Sequence, residues 1–259
     1  LVGQIARAWR EAADAHAPAC RILAWNWSWS FWYPDPQAEV VEALPPGVEI
    51  LADWERGGSR PWRGKTLSID EYSLGFTGPS ARFLGTRAAA ERTGRAIHAK
   101  LQLGTTHEVG SVPNLPLLTH LHGKLAGLCR HGIQGFMGTW NFGCSLTLNT
   151  YAVGHFLRDP VRNVDADVFL HSLARAYFGL EETAGVVAAW QGFSEAFQQY
   201  PFHIRMLYFS PVNDAPAHPL SLRYHDQPLG GSWMPHEMGD RIEDCLGPFA
   251  LPEAVEALA

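Results

Sequence analysis

The stretch AIHAKLQLGTTHE, Ala96 to Glu108, decides the fold. Ala96 to Leu103 reads as a strand, with Lys100 and Gln102 on one face and Leu101 and Leu103 on the other. It runs straight into the polar group Gly104-Thr105-Thr106-His107-Glu108. A half-polar strand that opens into such a group is what a parallel sheet presents at the carboxyl ends of its strands.

Working outward, the same unit recurs on both sides. Downstream, the turn-rich Val112-Pro113-Asn114-Leu115-Pro116 precedes an amphipathic helix over Leu117 to His131, capped by Gly132, and a strand over Ile133 to Asn141. Upstream, Pro79-Ser80 opens a helix that runs to Gly94. Val48 to Glu55 is a further strand, closed off from a short helical stretch (Pro34 to Leu44) by Pro45-Pro46-Gly47. Arg21 to Trp29 is the first strand, with an alternating Trp pattern, and it follows a helix over Gln4 to His16. The rhythm is βαβαβαβ. Alternation of this kind predicts a parallel sheet, closed as a barrel or wound on both faces. No GxGxxG follows a strand, so the dinucleotide-binding version has little support.

After Gly143 the pattern turns to helices without strands, over Asn149 to Leu157, Asp165 to Phe178 and Glu181 to Tyr200. Pro201 to Gly231 reads as an extended loop and Leu251 to Ala259 as a helix. Arg56 to Gly78 reads as a long loop. The expected organisation is residues 1–148 as the C-terminal half of a β/α barrel, with about four parallel strands, and residues 149–259 as a helical and loop-rich C-terminal region.

At 259 residues and 46% hydrophobic, the chain can bury a substantial core. A formal charge of −6, without a basic block, excludes a phosphate-gripping surface, so nucleic acid is not an expected partner. No apolar run approaches the ~18 residues of a membrane span. A soluble protein is expected, and no membrane partner. The opening LVGQIARAWREAADAHA already reads as a helix in progress, so an upstream segment is expected and the compartment stays unknown. Cys20, Cys129, Cys144 and Cys245 show no metal-type spacing and are read as incidental or buried thiols. No cofactor is expected.

The strand ends carry the chemistry. The first offers Trp25, Asn26, Trp27 and Trp29; the second Asp53, Trp54, Glu55 and Arg56; the third His107 and Glu108; the fourth Trp140 and Asn141. In β/α barrels the reacting groups gather there. Carboxylates, amides and Trp faces together suit a glycosidic bond: one acid protonates the leaving oxygen, and a second carboxylate supports or attacks an oxocarbenium-like centre. Asp53 and Glu55 share one face of their strand. Either both look into the pocket, or Glu55 is tied to Arg56 or Arg60 as an ion pair. Lys100, costly inside a strand, is expected to meet Asp53 or Glu55. Glu108 is read as catalytic, substrate-binding or loop-forming, and His107 as an acid, a base or a group orienting a carboxylate. Asp70-Glu71-Tyr72 sets two adjacent acids in a loop, which suits two carboxyls of unequal pKa but is also common by chance. His16, His120, His122, His131 and His171 lack HExxH-type spacing and read as structural or exposed.

The segments AWNWSW (24 to 29), LADWERG (51 to 57), DEYS (70 to 73), KLQLGTTHE (100 to 108) and TWNFG (139 to 143) resemble bacterial glycoside hydrolase-like barrel proteins grouped loosely with the family 20 β-N-acetylhexosaminidases. The resemblance covers about Arg21 to Gly143. It implies a TIM-type (β/α)8 barrel whose first half is not in this sequence, with Trp and Tyr of the later strands lining a sugar site. The family's Asp-Glu pair would fall upstream of Leu1, whereas Asp70-Glu71 follows what would be the sixth strand. Retaining barrel glycosidases resemble the chain in a second respect, since Glu108 follows what would be the seventh strand, where their nucleophile lies.

The resulting expectation is a glycoside hydrolase acting on a hexosaminide or related glycan. Glu108 and Asp53 lead as catalytic carboxylates, with Glu55 and Glu71 behind them. Trp25, Asn26, Trp54, Asp70, Tyr72, Lys100, Gln102, His107, Trp140 and Asn141 are the expected carbohydrate-binding residues. A noncatalytic glycan-binding protein is the alternative, followed by a metal-dependent hydrolase or sugar isomerase using His107, Glu108 and Asp53. A half barrel leaves two strand edges open, which a homodimer would close.

Overall fold

The computed structural model describes residues 1–70, 72–104, 108, 112, 114–139, 145–209 and 246–259. Four strands, β1 (Ile22–Trp25), β2 (Val48–Asp53), β5 (Ile97–Leu101) and β6 (Phe136–Gly138), form one parallel sheet in the order β1-β2-β5-β6. The sheet is curled into a half-barrel. Between its strands run α1 (Val2–His16, ahead of β1), α2 (Ala38–Glu42), α3 (Ala81–Arg92) and α4 (Leu118–Arg130). The βα rhythm of the sequence is therefore the rhythm of the molecule. β6 is shorter than the run Ile133 to Asn141, and Trp140 and Asn141 lie outside the described residues.

Period-two alternation divides the sheet into two faces. On one, Ile50, Ala52 and Trp54 of the second strand and Ala99 and Leu101 of the third join Phe83, Leu121 and Leu125 in the main core. On the other lie Glu49, Leu51 and Asp53, then His98, Lys100 and Gln102. Close packing requires a small residue where α4 crosses Trp54. A Cβ at Gly127 would stand 2.8 Å from the indole. Ser80 caps α3 by accepting from Phe83 N at 3.1 Å, which leaves Pro79 ahead of the cap.

The reading of Arg56 to Gly78 as loop is corrected. It contains an antiparallel hairpin, β3 (Gly58–Trp62) and β4 (Lys65–Ile69). The two-residue turn Arg63-Gly64 has φ of 44° and 78°, both left-handed, which matches the twist of a tight hairpin. Leu67 and Ile69 alternate inward, and with Trp62, Tyr72, Tyr200, Phe202 and Phe249 they build a second apolar cluster.

The remaining helices among the described residues are α5 (Leu148–Arg158), α6 (Pro160–Asn163), α7 (Ala166–Phe178), α8 (Ala184–Phe197), α9 (Ile204–Phe209) and α10 (Leu251–Leu258). α4 packs against α5, α7 and α8. Phe156, Phe169, Leu173 and Trp190 belong to the same cluster as the sheet, so no break in the core falls at Leu148. Among the described residues no helix is long and apolar enough to cross a membrane. Cys20 and Cys129 are exposed free thiols, not buried ones, and Cys144 and Cys245 lie outside the described residues.

Candidate functional site

At the carboxyl end of the half-barrel, the polar face of the sheet converges with the loops that follow β1, β2 and β4. Trp25 Nε1 donates to Asp53 Oδ1 at 2.9 Å, and Arg82 Nη1 of α3 lies 3.5 Å from Asp53 Oδ2. Arg82 also donates to Asn26 O at 2.8 Å and pairs with Asp35 at 3.1 Å. Asn26 is 1% exposed, and its side chain is turned to the Asp53 amide and Thr86. It holds the first two strand ends together. The rings of Trp25 and Trp27, both half-buried, stand 6.0 Å apart at 38°. Arg56 lies 6.0 Å over Trp27, donates to its carbonyl at 2.7 Å and reaches Asp70 at 3.5 Å. These groups form an aromatic and acidic mouth.

Lys100 stands opposite Asp53 in the strand register, and its ammonium lies 5.3 Å from the Tyr72 ring centroid. Both residues are buried. Trp54, expected at the mouth, is corrected to the core: it alternates to the helix side, packs edge-on against Phe83 at 4.8 Å and donates to Thr77 O at 2.8 Å.

Asp53 and Glu55 share a strand face but take different partners. Glu55 Oε1 accepts from Lys124 Nζ at 2.6 Å and from Gln102 N at 2.9 Å. The ion pair foreseen with Arg56 or Arg60 is made instead by Lys124, on α4. That ammonium also donates to Ser73 O at 2.7 Å and to Gln102 O at 2.8 Å, so all three of its protons are used. Gln102 spends its amide nitrogen on Gly104 O at 2.6 Å. Glu55 Oε2 and Gln102 Oε1 are buried without a hydrogen-bond partner among the described residues.

Glu108 completes this inner cluster. It is 1% exposed and its Oε2 accepts from Leu74 N at 2.5 Å. Burial pushes its carboxyl up to about 8, against the opposing pull of the Leu74 N–H, Lys124 and Arg60, with the Glu55 carboxylate adding to the rise. Lys124 is drawn below the usual lysine range by burial, although Glu55 and Glu108 oppose this. Burial, helped by Lys124 and Arg60, lowers His120 to about 4. It is thus a neutral imidazole, whose Nε2 accepts from Gln198 Nε2 at 2.6 Å. Arg60 donates to the carbonyls of Gln198 and Tyr200, both at 2.8 Å.

The fold thus brings together Trp25, Asn26, Asp53, Asp70, Tyr72, Lys100 and Gln102 around the strand ends, with Glu55 and Glu108 in the inner cluster. Glu71, His107, Trp140 and Asn141 lie outside the described residues. Lys124 and Arg82 were missed by the sequence reading, yet both left a signal. Leu117, Leu121, Lys124 and Leu128 form one helical stripe, and Arg82, Thr86 and Ala89 another, so each cation occupies a core-facing position. Among the described residues no three His, Cys, Asp or Glu side chains converge as metal ligands would.

No family model, no curated protein and no solved structure matches the chain.

Proposed function

We propose that the curled sheet is the later half of a TIM-type (β/α)8 barrel and that the protein is a glycoside hydrolase, with Glu108 as general acid and Asp53 as its carboxylate partner. One observation carries this reading. Two carboxyl groups at the strand ends have opposite surroundings: burial pushes the Glu108 carboxyl up to about 8, while Asp53 accepts from Trp25 Nε1 at 2.9 Å and lies 3.5 Å from the Arg82 guanidinium. A glycosidase needs this asymmetry, because one carboxyl must hold a proton to give away while another stays charged.

In this mechanism Glu108 donates its proton to the glycosidic oxygen as the bond to the anomeric carbon breaks. Asp53, oriented by Trp25 and Arg82, faces the positive charge that develops there. Water then takes the place of the departing sugar. The half-buried faces of Trp25 and Trp27 hold the ring, and Asp70 contacts its hydroxyls, with the buried Lys100 behind them. A hexosaminide is the proposed substrate, on the strength of the sequence resemblance. Glu55, committed to Lys124 and Gln102, ranks behind Asp53.

Among the described residues the sheet has edges at β1 and β6. Along β1 runs an apolar groove of about 390 Å³ lined by Ile5, Trp9, Leu23, Trp25 and Trp29. A second copy set edge to edge would cover it and supply the other four strands, and sedimentation equilibrium would report that dimer.

The test is a screen against chromogenic glycosides with Glu108→Gln and Asp53→Asn alongside. Loss of the acid should cost roughly 10²–10⁴ in turnover. Unchanged turnover in both variants would sink the assignment. Near-complete burial of Asp53, Glu55 and Glu108 favours the second reading, a noncatalytic glycan-binding protein. That reading predicts glycan binding lost in Trp25→Ala and no turnover by the wild-type chain.

A further inference from the structure

Behind the mouth, a single buried cation ties together three segments far apart in sequence. Lys124 projects from α4, and its ammonium meets Glu55 after β2, Ser73 in the loop after β4, and Gln102 after β5. The residue following Ser73 is Leu74, whose N–H is the one donated to Glu108. A helix position that packs on a sheet is ordinarily apolar, and burying an ammonium there is unfavourable unless it is fully paired. The pairing here is complete. It anchors the chain on both sides of Glu108.

We infer that Lys124 is the positioning residue for Glu108: its ammonium bolts the Ser73-Leu74 loop to the end of β5 and, paired with Glu55, governs how tightly the Glu108 carboxyl keeps its proton. The inference rests on the reading of Glu108 as the acid of the site. The groups acting on Glu108 come from four places: Lys124 on α4, Arg60 on β3, Glu55 after β2 and the Leu74 N–H, and His120 on α4 feels the same Lys124 and Arg60 charges. Of these, Lys124 and Glu55 bear opposite charges 2.6 Å apart. Removing either alone leaves the other uncompensated beside Glu108. The two single removals must therefore act in opposite directions.

The experiment is a carboxyl titration by ¹³C NMR on the full chain labelled at glutamate, with Glu108→Gln to identify the resonance. In the wild type the Glu108 signal should titrate near 8. In Lys124→Met the midpoint should rise by on the order of one pH unit, and in Glu55→Gln it should fall by a similar amount. The double variant Lys124→Met/Glu55→Gln removes both charges and should return toward the wild type. If Lys124→Met does not fold, Glu55→Gln and the double variant still carry the test, the first moving down and the second back up. An unmoved midpoint in the singles, or movement in one direction for both, overturns the inference. Because the readout is a titration, a chain that hydrolyses no glycoside would remove the hydrolase reading and leave this result to stand or fall alone.

Discussion

The polar face of the sheet has two ends built from the same kinds of residue, and they behave differently. At the amino end, Arg21 donates to Glu49 Oε1 at 2.9 Å, and His98 Nε2 lies 2.6 Å from Glu49 Oε2. At the carboxyl end, Lys124 and Glu55 meet at the same 2.6 Å. The Arg21 side chain is 64% exposed, whereas those of Lys124 and Glu55 are 1% and 0% exposed. Water screens the first set, and its hydrogen bonds lower Glu49 and raise Arg21 in the ordinary sense of an ion pair. Burial dominates the second, lowering the ammonium and raising the Glu108 carboxyl. Solvent access, not residue type, separates a structural ion pair from a group with an altered protonation state.

The sharpest way to break this comparison is to remove one partner at each end. Lys124→Met should destabilise by ~3–5 kcal/mol in urea unfolding, because it strands the Glu55 carboxylate in the interior. Adding Glu55→Gln should restore only the part due to the stranded charge, because Ser73 O and Gln102 O still lack the ammonium that bolts them together. Full restoration would mean that the loops need charge balance and not the ammonium itself.

The pH dependence comes next in size. Glu108 titrates near 4.5 when solvated and about 8 in the fold, so between these values the folded chain binds the extra proton. Its stabilising contribution is complete below about pH 4.5 and drains away as pH rises through 8, at no more than about 1.4 kcal/mol per pH unit. His120 acts with the opposite sign. Its folded value of about 4 lies below the ordinary 6.5, so its contribution is complete above 6.5 and is lost as pH falls through 4. The two slopes oppose each other between about 4.5 and 6.5, so urea midpoints measured from pH 4 to 9 should be nearly level there and fall above 6.5. Glu108→Gln should abolish that fall and leave a rise up to about 6.5, and His120→Gln should extend the fall down to about 4.5.

Arg21→Ala should have the smallest effect. Exposed pairs contribute little and are screened by salt. A slight loss of stability at low ionic strength, vanishing in high salt, is expected. A large salt-independent loss would show that the two ends are not so different.

Much of this architecture was legible in the chain. The Pro79-Ser80 opening of α3, the apolar stripe of Leu118–Arg130 and the Pro45-Pro46-Gly47 turn ahead of Val48–Asp53 each mark their element by local chemistry. Parity along β2 also separates Trp54 from Asp53 and Glu55, and its assignment to the mouth overlooked that rule. The hairpin was missed because its turn is Arg63-Gly64, without the Asn-Gly or Asp-Gly pair that usually announces one. Its inward residues Leu67 and Ile69 are sequestered by Tyr200, Phe202 and Phe249, more than a hundred residues later. Lys100 was foreseen against a carboxylate. The partner of Glu55 came instead from a helix, Lys124, which local reading takes for a surface lysine.

By itself, the sequence determined the alternation of strands and helices, the parallel sheet and the gathering of Trp, Asp and Glu at the strand ends, because periodicity and turn chemistry act over a few residues. Only the tertiary structure decided which carboxyl is paired and which is held neutral. Proton affinity depends on burial and on charges brought from distant segments, and in this fold Lys124 and Arg60 approach Glu55 and Glu108 from elements that no local pattern connects.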